Sequence, residues 1–569
     1  MHQELPIAAE VLLRSLHDHE VEYFFCNPGT DFPAIVEAYS RATAQGEVGK
    51  SVPRPIVVPH ENAAVAMAHG VYMLTGKPQA VMTHVNVGTA NTINGAANAS
   101  RDQTPILLMA GRTPVTEAGL LGSRNRVIHW AQEMYDQAGM LREFVKWDME
   151  LKTPSETENA VCRAMELMLT SPQGPAYLAL PRETLSMPVP GGKSPRKRRA
   201  IPAAPHPDLP SIDTLARWIA AAERPMVITS AAGKHAGGLE ALASVAERFA
   251  LPVVTVGGRY VCLPGSHPMH LGFQPKPLLE EADLVIVLEC DVPWLPSIEA
   301  PPATCKVVHI GRDPTFARYP TRSFPVDLSI VADSAHAMRA LEHSLAALGA
   351  PPATVAPRRA RIAARRAEMR ASWAAQREAA GKSADIKPEW ISHCLHAAID
   401  ADTIVVNEYP LRLEHCPREN AGTFFGLSPA GGLGWGLGAA IGAKLARPDR
   451  LVVATLGDGA YMFDNPTACH WVSARHNLPI LVLIFNNQMY GAVRNSTASM
   501  YQHGAASDYG CELLADLSPS PEFEKVVGAS GGYGEKVSSP AELPAALARA
   551  LHAVRNESRQ AVLNIVCKY

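Results

Sequence analysis

Residues 451–491 read LVVATLGDGAYMFDNPTACHWVSARHNLPILVLIFNNQMYG. Two apolar runs, LVVATL and ILVLIF, each end in a polar turn, and a longer stretch with room for helix separates them. Short, wholly apolar strands of this kind belong in a parallel sheet covered by helices on both faces. Ligands of such sheets gather beyond the carboxyl ends of the strands. Here those ends carry Gly457, Asp458, Gly459 and Ala460 after the first run, and Asn486, Asn487, Gln488 and Met489 after the second. An Asp and an Asn amide oxygen at the ends of neighbouring strands are hard donors, suited to Mg²⁺ that also binds a phosphate group. Gly459 lets the backbone approach such a phosphate, and the helix that follows favours its charge. A Gly-Asp-Gly alone also fits a plain turn. The Asn-Asn pair, 29 residues beyond Asp458, gives the reading its weight.

The same alternation recurs outward from this stretch, as PIVVP and QAVMTHV towards the N-terminus and as PMVITS and DLVIVLEC in the middle. It predicts an α/β fold of three doubly wound parallel-sheet domains. Two breaks separate them. Residues 188–210 are proline-rich and lose all apolar periodicity, and their run Arg196, Lys197, Arg198, Arg199 reads as a solvated linker cluster. Residues 351–388 centre on an Ala, Arg and Glu-rich segment, which predicts an exposed connecting helix ending at Gly381. The expected domains are 1–188, 200–350 and 388–569, with 351–387 as connecting helix and linker.

A chain of 569 residues, 47% hydrophobic and 19% charged, is too long for one small binding module and too apolar for a disordered one. With 52 basic against 55 acidic side chains, no nucleic-acid partner is expected. The ten cysteines form no Cys-x-x-Cys pair, and neither an export signal nor a membrane span is apparent, so a cytoplasmic location is expected.

The GDG to NN motif resembles that of the thiamin-diphosphate-dependent decarboxylase and acetolactate synthase superfamily. Asn27-Pro28-Gly29-Thr30, His60-Glu61-Asn62-Ala63-Ala64, Gly76-Lys77-Pro78, Gly88-Thr89-Ala90-Asn91 and the stretch GGLGWGLGAAIGAKLA from Gly431 resemble the family in the same order. The resemblance spans nearly the whole chain. It implies pyrimidine-binding, central and diphosphate-binding domains, with thiamin diphosphate and Mg²⁺ as cofactors. It also implies Asp458, the Asn487 side chain and the Met489 carbonyl as metal ligands. Gly431 and Leu433 would support the cofactor's centre, Leu433 as an apolar wedge beneath it. The motif is slightly longer than in the members it resembles most, with the extra residues placed around Asp464-Asn465-Pro466.

Opening the C2 position of the thiazolium requires a base, which the cofactor's own aminopyrimidine becomes once a carboxyl group shares a proton with its ring nitrogen. Glu61, amid alanines, is the candidate; read locally, it equally suits the first turn of a helix. His84, at the end of QAVMT, would more often be structural. The resemblance to benzoylformate decarboxylase gives it an active-site role, with Thr30 at the place of a serine, both handling substrate carboxylate and protons.

The implied activity is decarboxylation of a 2-keto acid through an enamine intermediate. The alternatives are a carboligase of acetolactate-synthase or aldehyde-lyase type, which transfers the same enamine to a second carbonyl in a 2-keto acid or aldehyde, and a non-catalytic cofactor-binding paralogue. A homodimer or homotetramer is implied. One departure stands out: Asp291-Val292-Pro293-Trp294-Leu295-Pro296 lacks the second catalytic histidine of such decarboxylases. His415 and His470 are the substitutes to consider, although loop and helix-surface positions suit them better. The segment Ser230 to His235 has one glycine where a dinucleotide fingerprint needs three, so FAD is not expected. Residues 122–147 combine Arg, His, Gln and Trp in a segment fit for substrate contact or subunit packing.

Overall fold

The structure, a computed structural model, describes residues 5–190, 200–349, 352–508, 510 and 513–569. The basic run at 196–199 lies outside them. Three parallel sheets organise the chain. The first contains β1 (Tyr23–Cys26), β2 (Arg54–Val57), β3 (Gln79–Thr83), β4 (Ile106–Arg112), β5 (Asp148–Glu150) and β6 (Ala176–Pro181), in the order β2-β1-β3-β4-β6-β5. The second holds β7 (Pro225–Thr229), β8 (Val253–Thr255), β9 (Leu284–Leu288), β10 (Lys306–Gly311) and β11 (Leu328–Val331), ordered β11-β10-β9-β7-β8. The third holds β12 (Ile404–Glu408), β13 (Phe424–Gly426), β14 (Val452–Gly457), β15 (Leu481–Asn486), β16 (Tyr533–Val537) and β17 (Ala561–Val566), ordered β13-β12-β14-β15-β17-β16.

The first and third sheets repeat one topology, in which the chain winds one way from the first strand and then reverses. A crevice opens beyond the strand ends at each reversal. In the first sheet that point lies between β1 and β3, paired as Phe25 with Val81. The segments of 27–31 and 84–85 therefore meet there. Strands β3 and β15 are buried along their whole length, as the apolar runs require.

By internal packing the chain forms two compact units. One comprises Met1–Pro202, Leu427–Lys536 and Ala550–Asn564; the other comprises Ala203–Gly426, Val537–Arg549 and Ile565–Tyr569. In the first, the helix Glu61–Thr75 packs on the helix Gly436–Ala446 through small residues. A Cβ at Gly70 would stand 2.1 Å from the Ala439 carbonyl oxygen, and one at Gly442 would stand 2.1 Å from that of Met67. Trp435 Nε1 donates to His69 Nδ1 (3.2 Å), whose Nε2 lies 3.0 Å from Asp102 Oδ2.

The helix expected in the second break spans Pro352–Gly381. Its arginines are not simply solvated. Arg358 is buried and donates to the carbonyls of Ile219 and Ala222 at one helix end and Phe249 at another. Arg361 reaches the Glu223 carbonyl, Arg366 that of Ser266 and Arg370 that of Gly265. Guanidinium groups at helix carboxyl ends satisfy carbonyls that have no intrahelical partner. None of the helices among the described residues is long and apolar enough to cross a membrane, and the nine cysteines described are free and buried.

Candidate active site

Strand β14 delivers Asp458 and β15 delivers Asn486 and Asn487. The chain then turns through Gln488 in the left-handed region (φ 59°), which swings the Met489 backbone back towards Asp458. Backbone bonds from Leu517 N to Gln488 O and from Tyr490 N to Ala515 O, each 2.8 Å, hold the turn. Asp458 is 3% exposed, its Oδ1 accepts from Gly459 N at 2.9 Å, and its Oδ2 has no partner. Burial raises its pKa, because the ionised form lacks a compensating charge. The Asn487 side-chain oxygen faces Met489 O at 2.9 Å and Asp458 Oδ1 at 3.2 Å. Three oxygens turned on one point repel one another. Either the amide flips to donate N–H to both, or a cation sits among them.

A buried carboxylate, an amide oxygen and a carbonyl oxygen are the donor set of a hard divalent cation, and the unpartnered Asp458 Oδ2 supplies charge towards it. The residues present therefore fit a metal bound with a phosphate group. Gly459 has a second reason to lack a side chain, since a Cβ there would stand 2.6 Å from the Tyr490 ring. Gly457 faces open space and Ala460 is buried. The residues around Asp464 lie between two helices, and Asp464 Oδ1 accepts from Leu437 N at 3.0 Å, so the longer spacing does not part Asp458 from Asn487.

At the first sheet, His60 caps the helix Glu61–Thr75 by accepting from Asn62 N. This places Glu61 at its first turn, 7% exposed. Both carboxylate oxygens are held: Oε1 accepts from Asn27 Nδ2 (2.9 Å) and Oε2 from Asn91 Nδ2 (3.0 Å). Asn27 and Asn91 belong to motifs visible in the sequence, but no local pattern assigns either of them this role.

His84 directly precedes the helix Val85–Arg101 and makes no side-chain capping bond to it. Its Nδ1 lies 2.6 Å from Asp31 Oδ1, and Asp31 Oδ2 accepts from Val85 N (3.2 Å). Val85 carries a φ of 33°, an uncommon conformation for a β-branched residue and one concentrated at functional sites. Gly29 and Gly111 leave room for the pair, since a Cβ at either would overlap the His84 ring or Asp31. The hydrogen bond to Asp31 raises the His84 pKa; burial opposes it, and the charges of Asp31 and Glu61 add to it. Gln132, from the segment 122–147, stands 3.4 Å from His84 Nε2. Thr30 is exposed, and its carbonyl accepts from the buried Arg182 (3.1 Å).

The loop Gly431 to Gly434 uses positive φ at both ends, 67° and 85°. Three asparagines clamp it. Asn98 Nδ2 donates to Gly432 O (2.8 Å), Asn94 Nδ2 to Leu433 O (2.8 Å) and Asn62 Nδ2 to Gly434 O (2.9 Å), leaving the Leu433 side chain half-buried. In the other unit, Asp291 is bound by Arg259 (3.3 Å) and the Tyr319 hydroxyl (2.8 Å). Gly233 packs against Val261 O, and Ser230 accepts from Arg259. His470 is not on a helix surface: it is buried between Tyr461 and Gln560, and burial lowers its pKa to about 4. His415 is buried as well.

Family models of the thiamine pyrophosphate enzymes match in chain order: the N-terminal TPP binding domain at residues 7–140, the central domain at 212–341 and the C-terminal TPP binding domain at 411–565. The chain belongs to this family and is a thiamin-diphosphate-dependent enzyme of the decarboxylase and carboligase type. It is 25% identical to the acetolactate synthase isozyme 3 large subunit of Escherichia coli, over 97% of this chain and 93% of that one. It is 26% identical to benzoylformate decarboxylase of Pseudomonas aeruginosa, over 76% and 79%. The fold matches that of the Rhodococcus jostii thiamine diphosphate-dependent 4-hydroxybenzoylformate decarboxylase, with a TM-score of 0.78 at 20% identity over 99% of both chains.

Proposed function

We propose that the protein decarboxylates a 2-keto acid with thiamin diphosphate and Mg²⁺. The observation that carries this reading is the His84 and Asp31 pair, a histidine held by a buried carboxylate and within reach of the charge of Glu61. Thiamin diphosphate, when bound, accepts the electron pair of the bond next to the substrate carbonyl. Asp458, Asn487 and the Met489 carbonyl would hold Mg²⁺, and Gly457, Gly459 and Ala460 would bind the diphosphate. Glu61, fixed by Asn27 and Asn91, would share a proton with the pyrimidine ring nitrogen. Leu433, with its loop clamped by three asparagines, and the Gly431 carbonyl support the cofactor's centre.

His84 stays protonated to higher pH than a free histidine, so its imidazolium binds the substrate carboxylate, and its Nε2 proton is available for transfer. Thr30 directly follows Gly29, the residue whose missing side chain makes room for the His84 ring, and offers a hydroxyl to the same carboxylate. A 2-keto acid is thus the substrate class. The active unit is a homodimer or homotetramer, in which Glu61 and Asp458 of different subunits serve one cofactor. Exposed apolar side chains in the first unit, Leu121 at 80% and Val127 at 89%, support such assembly.

Carboligation is the second reading. It is favoured by the absence of histidine from Asp291 to Pro296 and by the commitment of His470 to Tyr461 and Gln560. A keto-acid panel with CO₂ and product analysis, run with and without an added aldehyde, tests both. CO₂ release with free aldehyde as the product supports decarboxylation as the main reaction; CO₂ release that yields only a product ligated to a second carbonyl compound overturns it.

A further inference from the structure

The unit Ala203–Gly426 holds a cleft enclosing about 420 Å³ of atom-free space, part of it open to solvent. None of its lining residues belongs to the unit that carries Glu61, His84 and Asp458. Four aromatic rings, Tyr260, Phe273, Trp373 and Phe424, share its wall with two guanidinium groups, Arg370 and Arg418.

Among the described residues, no acid makes contact with either arginine. Arg418 is 5% exposed and donates to the backbone carbonyls of Asp400, Ala401 and Thr403, and its Nε has no partner. Arg370 donates to the Gly265 carbonyl and lies over the Trp373 ring, 5.2 Å from its centroid; its Nε also has no partner. Acids act on the pair only at range, Glu419 on both and Asp400 and Asp402 on Arg418, while Arg366 repels Arg370. Glu419 is itself engaged by the Ser266 backbone and hydroxyl, at 3.1 and 2.6 Å. Burial lowers the proton affinity of both arginines, and burial first, with the charges of Arg370 and Arg366 adding to it, lowers that of the neighbouring His270.

A desolvated cation without a carboxylate is costly, and an anion entering beside it removes that cost. Inorganic anions gain nothing from the aromatic wall, whereas an aryl or branched apolar body does. We propose that this cleft binds a small carboxylate bearing an aryl or branched apolar group, independently of the thiamin site.

Calorimetric titration of the full chain, loaded with thiamin diphosphate and Mg²⁺, with phenylacetate, phenylacetamide and acetate tests this. Phenylacetate should bind saturably and about tenfold or more tighter than either other compound. Arg370→Met should weaken it about tenfold or more. Leu413→Trp, which puts a larger side chain into the cleft wall, should abolish it, and His84→Ala, which removes the carboxylate contact proposed for the thiamin site, should leave it unchanged. Leu413→Trp decides the matter if Arg370→Met does not fold. Absence of saturable binding below about 10 mM, equal binding of the amide, loss of binding in His84→Ala, or unchanged affinity in Leu413→Trp would each overturn the proposal.

Discussion

His84 Nδ1 and Asp31 Oδ1 stand 2.6 Å apart, although 53 positions separate them in sequence. The pair ties the end of β3 to the turn after β1, and it sets the charge of the imidazole. Because the raised pKa belongs to the folded state, the pair stabilises the fold fully below the ordinary histidine pKa of about 6.5 and loses that contribution as pH rises through the raised value.

Asp31→Asn should therefore move the His84 titration to lower pH. The alkaline limb of the pH profile of kcat/KM for a 2-keto acid should shift the same way, with activity at neutral pH reduced. NMR titration of the His84 ring checks the shift directly, and an unmoved pKa would show that Asp31 does not set it.

Asp458→Ala removes the one charged oxygen of the Asp458, Asn487 and Met489 set, so purified protein should lose thiamin diphosphate on gel filtration and need far more Mg²⁺ for activity. Retention of cofactor at the parent level would remove these residues from the metal site.

Glu61→Gln should keep the fold and much of the cofactor affinity while turnover falls by orders of magnitude, since an amide cannot share a proton with the ring nitrogen. C2 proton exchange followed by NMR is the direct readout. Mixing Glu61→Gln with Asp458→Ala subunits should restore part of the activity if one cofactor draws on two chains; no recovery in a mixed dimer would contradict that assembly.

Gly70→Ala should destabilise the first unit by about 1–3 kcal/mol, because its Cβ meets the Ala439 carbonyl, backbone that cannot turn aside as a side chain would. Urea denaturation with an unchanged m-value would measure this as stability alone; a neutral effect would mean the two helices can separate freely at this crossing.

Much of the fold is legible in the sequence because the apolar runs that become β3, β9, β14 and β15 are almost wholly buried, and such strands announce themselves. Asp458, Asn487 and Glu61 are legible because fixed spacing and small neighbouring residues accompany them. The partners of those residues are not. Asp31 reads as an ordinary turn residue until the reversal between β1 and β3 brings it to His84. Asn62, Asn94 and Asn98 sit on helical faces that reach the loop at 431–434 across more than 330 positions, a contact no local pattern encodes. His470 reads as a helix-surface residue because its helix has no clear apolar stripe, and its burial depends on Gln560, 90 residues away.

The arginines of the helix Pro352–Gly381 imply an unusual response to solvent conditions. Their acceptors are mostly carbonyl oxygens rather than carboxylates, so added salt has few opposing charges to screen, and docking of this helix should hold in brine that loosens surface ion pairs. Lysine cannot take over at Arg358, where one planar fork spans the ends of two helices at once. A charge-conserving exchange there would leave the net charge at −3 and still give up this joint contact to two helix ends.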